Sequence, residues 1–276
     1  MKFGCFSLDF RRFSLETAFR AAARYDFEGI EIWGGRPHAY PFDMDAEKVK
    51  EILSLKKKYN LEVPMYTPNA LGMPYNLCSL DAREQRDALE YFKIAIDACE
   101  ALECPRMLMV ADHPGYEVAE KDSFQRFVEN MKELGRYAID KDVKLVIESL
   151  TPMESPVITT SDDCQKAIEE IGLSNIEAMM DVVPPTVAYE PMSAYFKKLG
   201  NKMNYIHLCN NDKCTDAHWR LDKGELPVED MVRVFKEYGY EGYVTVELYS
   251  EGYSDPEVLL ANSSRILRCI REKLGI

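Results

Sequence analysis

Three carboxylates each end an apolar run of this chain: Glu148 in KLVIESL, Asp181 in IEAMMDV and Glu247 in YVTVELY. The four histidines lie at or just after runs of the same kind. His38 follows FEGIEIWGG, His113 follows RMLMVAD, His207 sits in NYIHLCN and His218 lies in the next loop. An acid carried out of a buried run is costly unless something pairs it. When acids recur at successive run ends, a divalent metal ion is the simplest shared partner. Glu148, Asp181, His207 and Glu247 make an oxygen-rich set with one nitrogen. Such a set suits Mn2+ first, with Mg2+, Co2+ or Ni2+ as alternatives, better than a structural zinc site of thiolates and imidazoles. Taken singly, each residue is explained as well by a buried ion pair or a helix cap; the four together point to metal. Glu148 and Glu247 are also candidate bases. Proton abstraction beside a carbonyl needs a base within reach and an electrophile for the enediolate charge, which a divalent ion supplies. Two carboxylates on opposite faces of one carbon would then give epimerisation through a metal-held enediolate, without a redox cofactor.

The elements that must position these groups alternate along the chain. Strand-like runs rich in Val, Ile, Tyr, Phe and Met fall near residues 2–8, 27–33, 61–66, 106–112, 144–149, 176–182, 203–209 and 242–249. Amphipathic helical patterns separate them, and a last one, DPEVLLANSSRILRCIREKL, follows the eighth run. Ser14, Asp45, Asp122, Ser161 and Asp255 stand where helix N-caps belong. Eight strands alternating with eight helices predict an α/β fold of the (β/α)8 TIM-barrel type, in which strand C-terminal ends form the active face. A doubly wound open sheet is the runner-up, but CFSLD after the first strand is no glycine-rich phosphate loop. With no linker or low-complexity stretch, residues 1–276 read as one catalytic domain. YDFEGIEIW and YGYEGYVTVEL echo each other as helix-turn-strand connections, with Gly29 and Gly242 expected to permit tight turns.

Composition narrows the partners. The 276 residues are 46% hydrophobic and 29% charged, ordinary for a globular protein, and carry a formal charge of -13. That charge argues against nucleic acid and anionic membranes, which need clustered Lys and Arg, and leaves a small polar substrate. No signal peptide or membrane-spanning run is read, and the eight scattered cysteines contain no CxxC pair, so a cytoplasmic location is expected.

The run ends VIES, MMDV, YIHLCN and TVEL resemble the metal-binding strand ends of xylose-isomerase-like TIM barrels, in the ketose 3-epimerase branch. The resemblance runs the whole length in the same order and implies that Glu148, Asp181, His207 and Glu247 hold the metal. GIEIWGGRPHAY, YTPNALGMPYN, ESLTPMES, YFKKLGNK, DAHW and YEGYVTVEL are similar, more narrowly, to members acting on lysine-linked ketoses. It further implies that Glu148 and Glu247 are the acid/base pair, that Glu154 contacts the sugar near its reacting end, and that Arg220 stands for an arginine the family often carries after the seventh strand. One position departs. Where many ketose 3-epimerases place a substrate-touching histidine three residues after the metal-binding aspartate, this chain has Pro184, which disfavours a free-ketose substrate.

The remaining candidates read more openly. His218 in DAHW is expected to contact substrate, His113 either holds a sugar oxygen or packs in its loop, and His38 reads as packing. Trp33, Tyr40, Tyr66, Tyr75 and Trp219 lie near strand ends, with Trp33 and Tyr66 the expected sugar-pocket walls. Asp112, Asp212, Asp216 and Glu251 could meet a substrate ammonium or simply be solvated. The expected function is metal-dependent inversion at C3 of a ketose derivative, with a free-ketose 3-epimerase or an aldose-ketose isomerase as alternatives. A dehydratase, an apurinic endonuclease and a non-catalytic metal- or sugar-binding barrel are weaker rivals. A homo-oligomer is left open.

Overall fold

The apolar runs pair as parallel strands, the arrangement expected of runs buried on both faces. In the computed structural model, residues 1–72, 74–249 and 254–276 are described. Their strands are β1 (Lys2–Phe6), β2 (Gly29–Gly34), β3 (Tyr66–Pro68), β4 (Arg106–Met109), β5 (Lys144–Ile147), β6 (Ile176–Asp181), β7 (Met203–Leu208) and β8 (Tyr243–Val246). Each pairs with its sequence neighbour and β8 returns to β1, closing the barrel in the order 1 to 8. The helices are α1 (Leu15–Arg24), α2 (Ala46–Tyr59), α3 (Ala82–Ala101), α4 (Glu120–Ile139), α5 (Ser161–Ile171), α6 (Val183–Val187), α7 (Met192–Leu199), α8 (Val228–Glu237) and α9 (Pro256–Leu274). The fold is the predicted TIM barrel. Among the described residues, the added helix is α6, a single short turn that the two prolines of DVVPPT had hidden; both fit at a helix start, where their missing N–H groups would be unused.

Local chemistry explains most boundaries. Ser14 accepts from Thr17 N and Asp45 from Lys48 N, as their cap positions require. Asp122 is no cap, because α4 begins two residues earlier behind Ala119. Ser161 opens α5, while Thr160 caps it and shares a reciprocal capping box with Asp163. Asp255 stands at the N-cap of α9 without a side-chain cap bond. Gly29 and Gly242 serve close approach and not turn formation. A Cβ at Gly29 would lie 2.6 Å from the Tyr243 ring, and one at Gly242 2.5 Å from the Tyr240 hydroxyl.

Alternation sorts the barrel interior into layers. Along β7, Tyr205 and His207 face inward, and along β8 so does Thr245, whose Oγ1 lies 2.7 Å from the Tyr205 hydroxyl. At the N-terminal floor, buried Glu177 meets Arg106 Nε at 2.9 Å and Lys144 Nζ at 2.8 Å. All eight cysteines are free thiols, and Cys214 and Cys269 are exposed. No described helix is long and apolar enough to cross a membrane.

Candidate functional site

Four successive strands deliver the site. Glu148 follows β5, its N–H donating to Met109 O at 3.0 Å. Asp181 ends β6, His207 lies in β7, and Glu247 follows β8, its N–H donating to Leu208 O at 3.2 Å. The β6–β7 register sets Asp181 beside His207. Ligand atoms from Glu148, Asp181, His207 and Glu247 all lie within 4.8 Å of one another. His207 Nδ1 is 2.8 Å from Glu247 Oε2 and 3.2 Å from Glu148 Oε1, yet it is buried and neither contact is aligned as a hydrogen bond. Its other nitrogen, Nε2, is 2.8 Å from Glu31 Oε2. The residues therefore fit a divalent cation: three carboxylates and a poorly satisfied imidazole nitrogen converge on one point, and their chemistry is that of a hard, oxygen-preferring ion. Asp181 is steadied by Val183 N, which donates to its Oδ1 at 2.8 Å.

Electrostatics divides the two glutamates. Burial is the largest influence on each and favours the proton. At Glu148 it prevails and holds the carboxyl well above the usual range. At Glu247 the pull of His207 and His218 overcomes burial and holds the carboxyl below it. For His207 the sign is reversed: burial alone would depress the ring, but Glu31, Glu247 and Glu148 raise it well above the usual imidazole range. His218 is likewise raised against burial, chiefly by Asp181, whose Oδ2 is 2.7 Å from His218 Nε2. Glu154 is held up by burial, although Thr151 donates to its Oε2 from N at 2.9 Å and from Oγ1 at 2.8 Å.

Above these groups opens a cavity of about 770 Å³. Glu148, Asp181, His207, Glu247, Glu154, His113, His218 and Trp33 all line it, as does Pro184. Tyr66 and Arg220 are not among its lining residues. The Tyr66 ring is fully buried, with its hydroxyl donating to Ala39 O at 2.6 Å, and Arg220 pairs with Asp222 at 2.8 Å. Tyr40 and Tyr75 join hydroxyl to hydroxyl at 3.1 Å in a separate aromatic cluster, and Trp219 pairs through its backbone with Asn210. His113 accepts from Gly115 N at 2.9 Å and meets the Tyr116 ring edge-on. Of the acids, Asp112 and Asp216 reach the cavity, Asp212 organises its own turn by accepting from Cys214 N and Thr215 N, and Glu251 lies outside the described residues.

Two acids escaped the sequence reading. Glu31 is fully buried on β2; its signal is an acid between Ile30 and Ile32 in the middle of the apolar run GIEIW. Asp9, just after β1, accepts from Leu248 N at 3.0 Å, the residue that follows Glu247. Burial holds Asp9 well above the usual carboxylate range, and its Oδ2 has no hydrogen-bond partner.

Residues 19–270 match the model of the family described as Xylose isomerase-like TIM barrel. The chain is 36% identical over 258 residues to fructoselysine 3-epimerase of Shigella flexneri, covering 94% of each protein. It is 35% identical over the same length to fructoselysine 3-epimerase of Escherichia coli O157:H7. Among solved structures, D-allulose 3-epimerase from Methylomonas sp. in complex with D-allulose superposes with a TM-score of 0.82 at 18% identity, over 98% of this chain and 96% of that one, a likeness of fold.

Proposed function

Because the chain belongs to the xylose isomerase-like TIM barrel family, in its ketose 3-epimerase branch, we propose that it inverts C3 of a ketose bearing an amino-acid substituent, fructoselysine first. It is an enzyme of the sugar isomerase and epimerase class. One observation carries the proposal: Glu148 Oε1 and Glu247 Oε2, from opposite ends of a four-strand arc, converge on a single nitrogen of His207 at 3.2 and 2.8 Å. Two carboxylates so placed can flank one carbon. One takes the C3 proton and the other returns a proton to the opposite face. A divalent ion, Mn2+ in this proposal, would be held by Glu148, Asp181, His207 and Glu247 and would supply Lewis-acid polarisation of the substrate carbonyl. Glu154 and His218 hold sugar oxygens at the cavity wall, and Trp33 gives an apolar face to the ring.

The cavity supports a substituted substrate. A ketohexose has about a dozen non-hydrogen atoms, which fill under half of about 770 Å³ at the ~30 Å³ that liquid water allots per molecule. Pro184 carries no donor and leaves room on its wall. The lining carboxyl groups of Asp112 and Asp216 favour a substrate that carries an ammonium group. Our reading is of one catalytic domain working in the cytoplasm, and the free thiols are in keeping with a reducing compartment.

The test is turnover of fructoselysine by the Mn2+-reconstituted protein in D2O, quenched with chelator and read by NMR. Deuterium at C3 with psicoselysine as product is expected. Exchange with fructose or psicose in place of fructoselysine would overturn the substrate, and an aldehyde product would overturn epimerisation in favour of isomerisation.

A further inference from the structure

We propose that Glu31 is a positioning residue of the metal centre: it fixes the His207 ring so that Nδ1, and not Nε2, is the nitrogen offered to the cation. The proposal rests on the metal reading of the site and is independent of which sugar the cavity takes.

Glu31 lies between Ile30 and Ile32 on an otherwise apolar strand and is 0% exposed. A buried carboxylate is strongly unfavourable unless its oxygens are satisfied. Here each oxygen has a partner: Oε2 lies 2.8 Å from His207 Nε2, and Oε1 accepts from Thr67 Oγ1 at 2.5 Å. Nε2 is thereby occupied by Glu31 and turned away from the point where the other ligands converge. Thr67, from the adjacent strand β3, sets the carboxylate rotamer. The imidazole plane is fixed as well. The Phe6 ring stacks on it at 5.7 Å, and Tyr205 meets it edge-on at 5.8 Å.

Nδ1 faces the Glu247 and Glu148 carboxyl groups at 2.8 and 3.2 Å. With nothing polar on the far side of the ring, only the packing of Phe6 and Tyr205 would hold Nδ1 toward the other ligands. Glu31 anchors Nε2 at 2.8 Å and so aims Nδ1 at the point where the other ligands converge. Partners of this kind behind a ligating histidine change metal affinity by about 10–100-fold when removed.

The experiment is titration of Mn2+ alone into wild type, Glu31→Gln and Thr67→Val by calorimetry, with circular dichroism confirming the fold of each metal-free protein. Nitrogen NMR of 15N-histidine in the Zn2+-loaded wild type reads the ring directly. Glu31→Gln should weaken Mn2+ binding about 10–100-fold, with a smaller loss in the same direction for Thr67→Val, and the wild-type spectrum should show the proton on Nε2 and the metal on Nδ1. Unchanged Mn2+ affinity in a folded Glu31→Gln, or metal on Nε2, overturns the proposal. If Glu31→Gln does not fold, Thr67→Val and the wild-type spectrum decide. A wild type that binds no Mn2+ removes the metal centre itself, an outcome distinct from one in which wild type and variant bind alike.

Discussion

His38 is fully buried, donates from Nε2 to Phe13 O at 3.1 Å, and has Nδ1 3.3 Å from Ser7 Oγ, which itself accepts from Trp33 N. Burial lowers its pKa from 6.5 to about 4. The unfolded chain therefore takes up a proton near pH 6.5 that the folded chain refuses until near pH 4. Stability from this residue is complete above pH 6.5 and is lost as pH falls through that window. Between pH 7.5 and 5 the loss amounts to about 2 kcal/mol. His38→Gln keeps a donor toward Phe13 O and should show a shallower fall in urea unfolding free energy over that range; an equal slope in wild type and variant would refute the assignment. The sequence did support reading His38 as packing, in the loop segment RPHAY. Glu31 was harder to read. Its partner His207 is 176 positions away, and a contact that distant leaves no local trace beyond an unexplained charge in an apolar run.

At the scale of elements, β1, β4, β5, β6 and β7 begin at the residue the sequence predicts, while every strand end differs from its expected place by one to three residues. An acid leaving an apolar run marks where the barrel opens, and β5, β6 and β8 end within one residue of Glu148, Asp181 and Glu247. The third strand was read at 61–66, but its ladder is confined to Tyr66–Pro68. Glu62 O and Met65 O do accept from Ile30 N and Ile32 N, while Pro64 has no N–H to return, so this stretch runs beside β2 only partly paired. The same shift explains Tyr66, which read as a pocket wall and packs in the core. Loop anchoring has its own prediction. Asp112, after β4, accepts from Gly72 N at 3.1 Å and His113 N at 2.7 Å and so ties the β3 and β4 loops together. Asp112→Ala should lower unfolding free energy by about 2 kcal/mol and raise KM for fructoselysine more than it lowers kcat. Denaturation curves with steady-state kinetics check both, and a variant with unaltered stability would show that the tie is idle.

For the whole molecule, the alternation of runs and helices was enough to predict a closed barrel, because a parallel strand order with helices between successive strands has few right-handed closures. What periodicity could not supply was the volume of the cavity or the side chains that line it. Metal removal should be felt globally, since Glu148, Asp181 and Glu247 crowd one point in a barrel that carries a net charge of -13. Mn2+ at about 100 times its Kd should stabilise the fold by about 2.7 kcal/mol, seen as a higher melting temperature that chelator reverses; no shift would mean that the ion does not bind the folded state preferentially. The order of the strands also bears on how the enzyme is made. The proposed ligands come from β5 to β8, and the brace behind His207 comes from β2. A ribosome releases the chain from its N-terminus, so Glu31 and Thr67 emerge first and wait for a histidine that is still unmade. Glu247 arrives last of all. On that ligand set the nascent chain has no complete binding site until β8 emerges and pairs with β1, and cation loading would be an event of the finished barrel, entered through its open mouth and exposed to whichever divalent ion the compartment then holds.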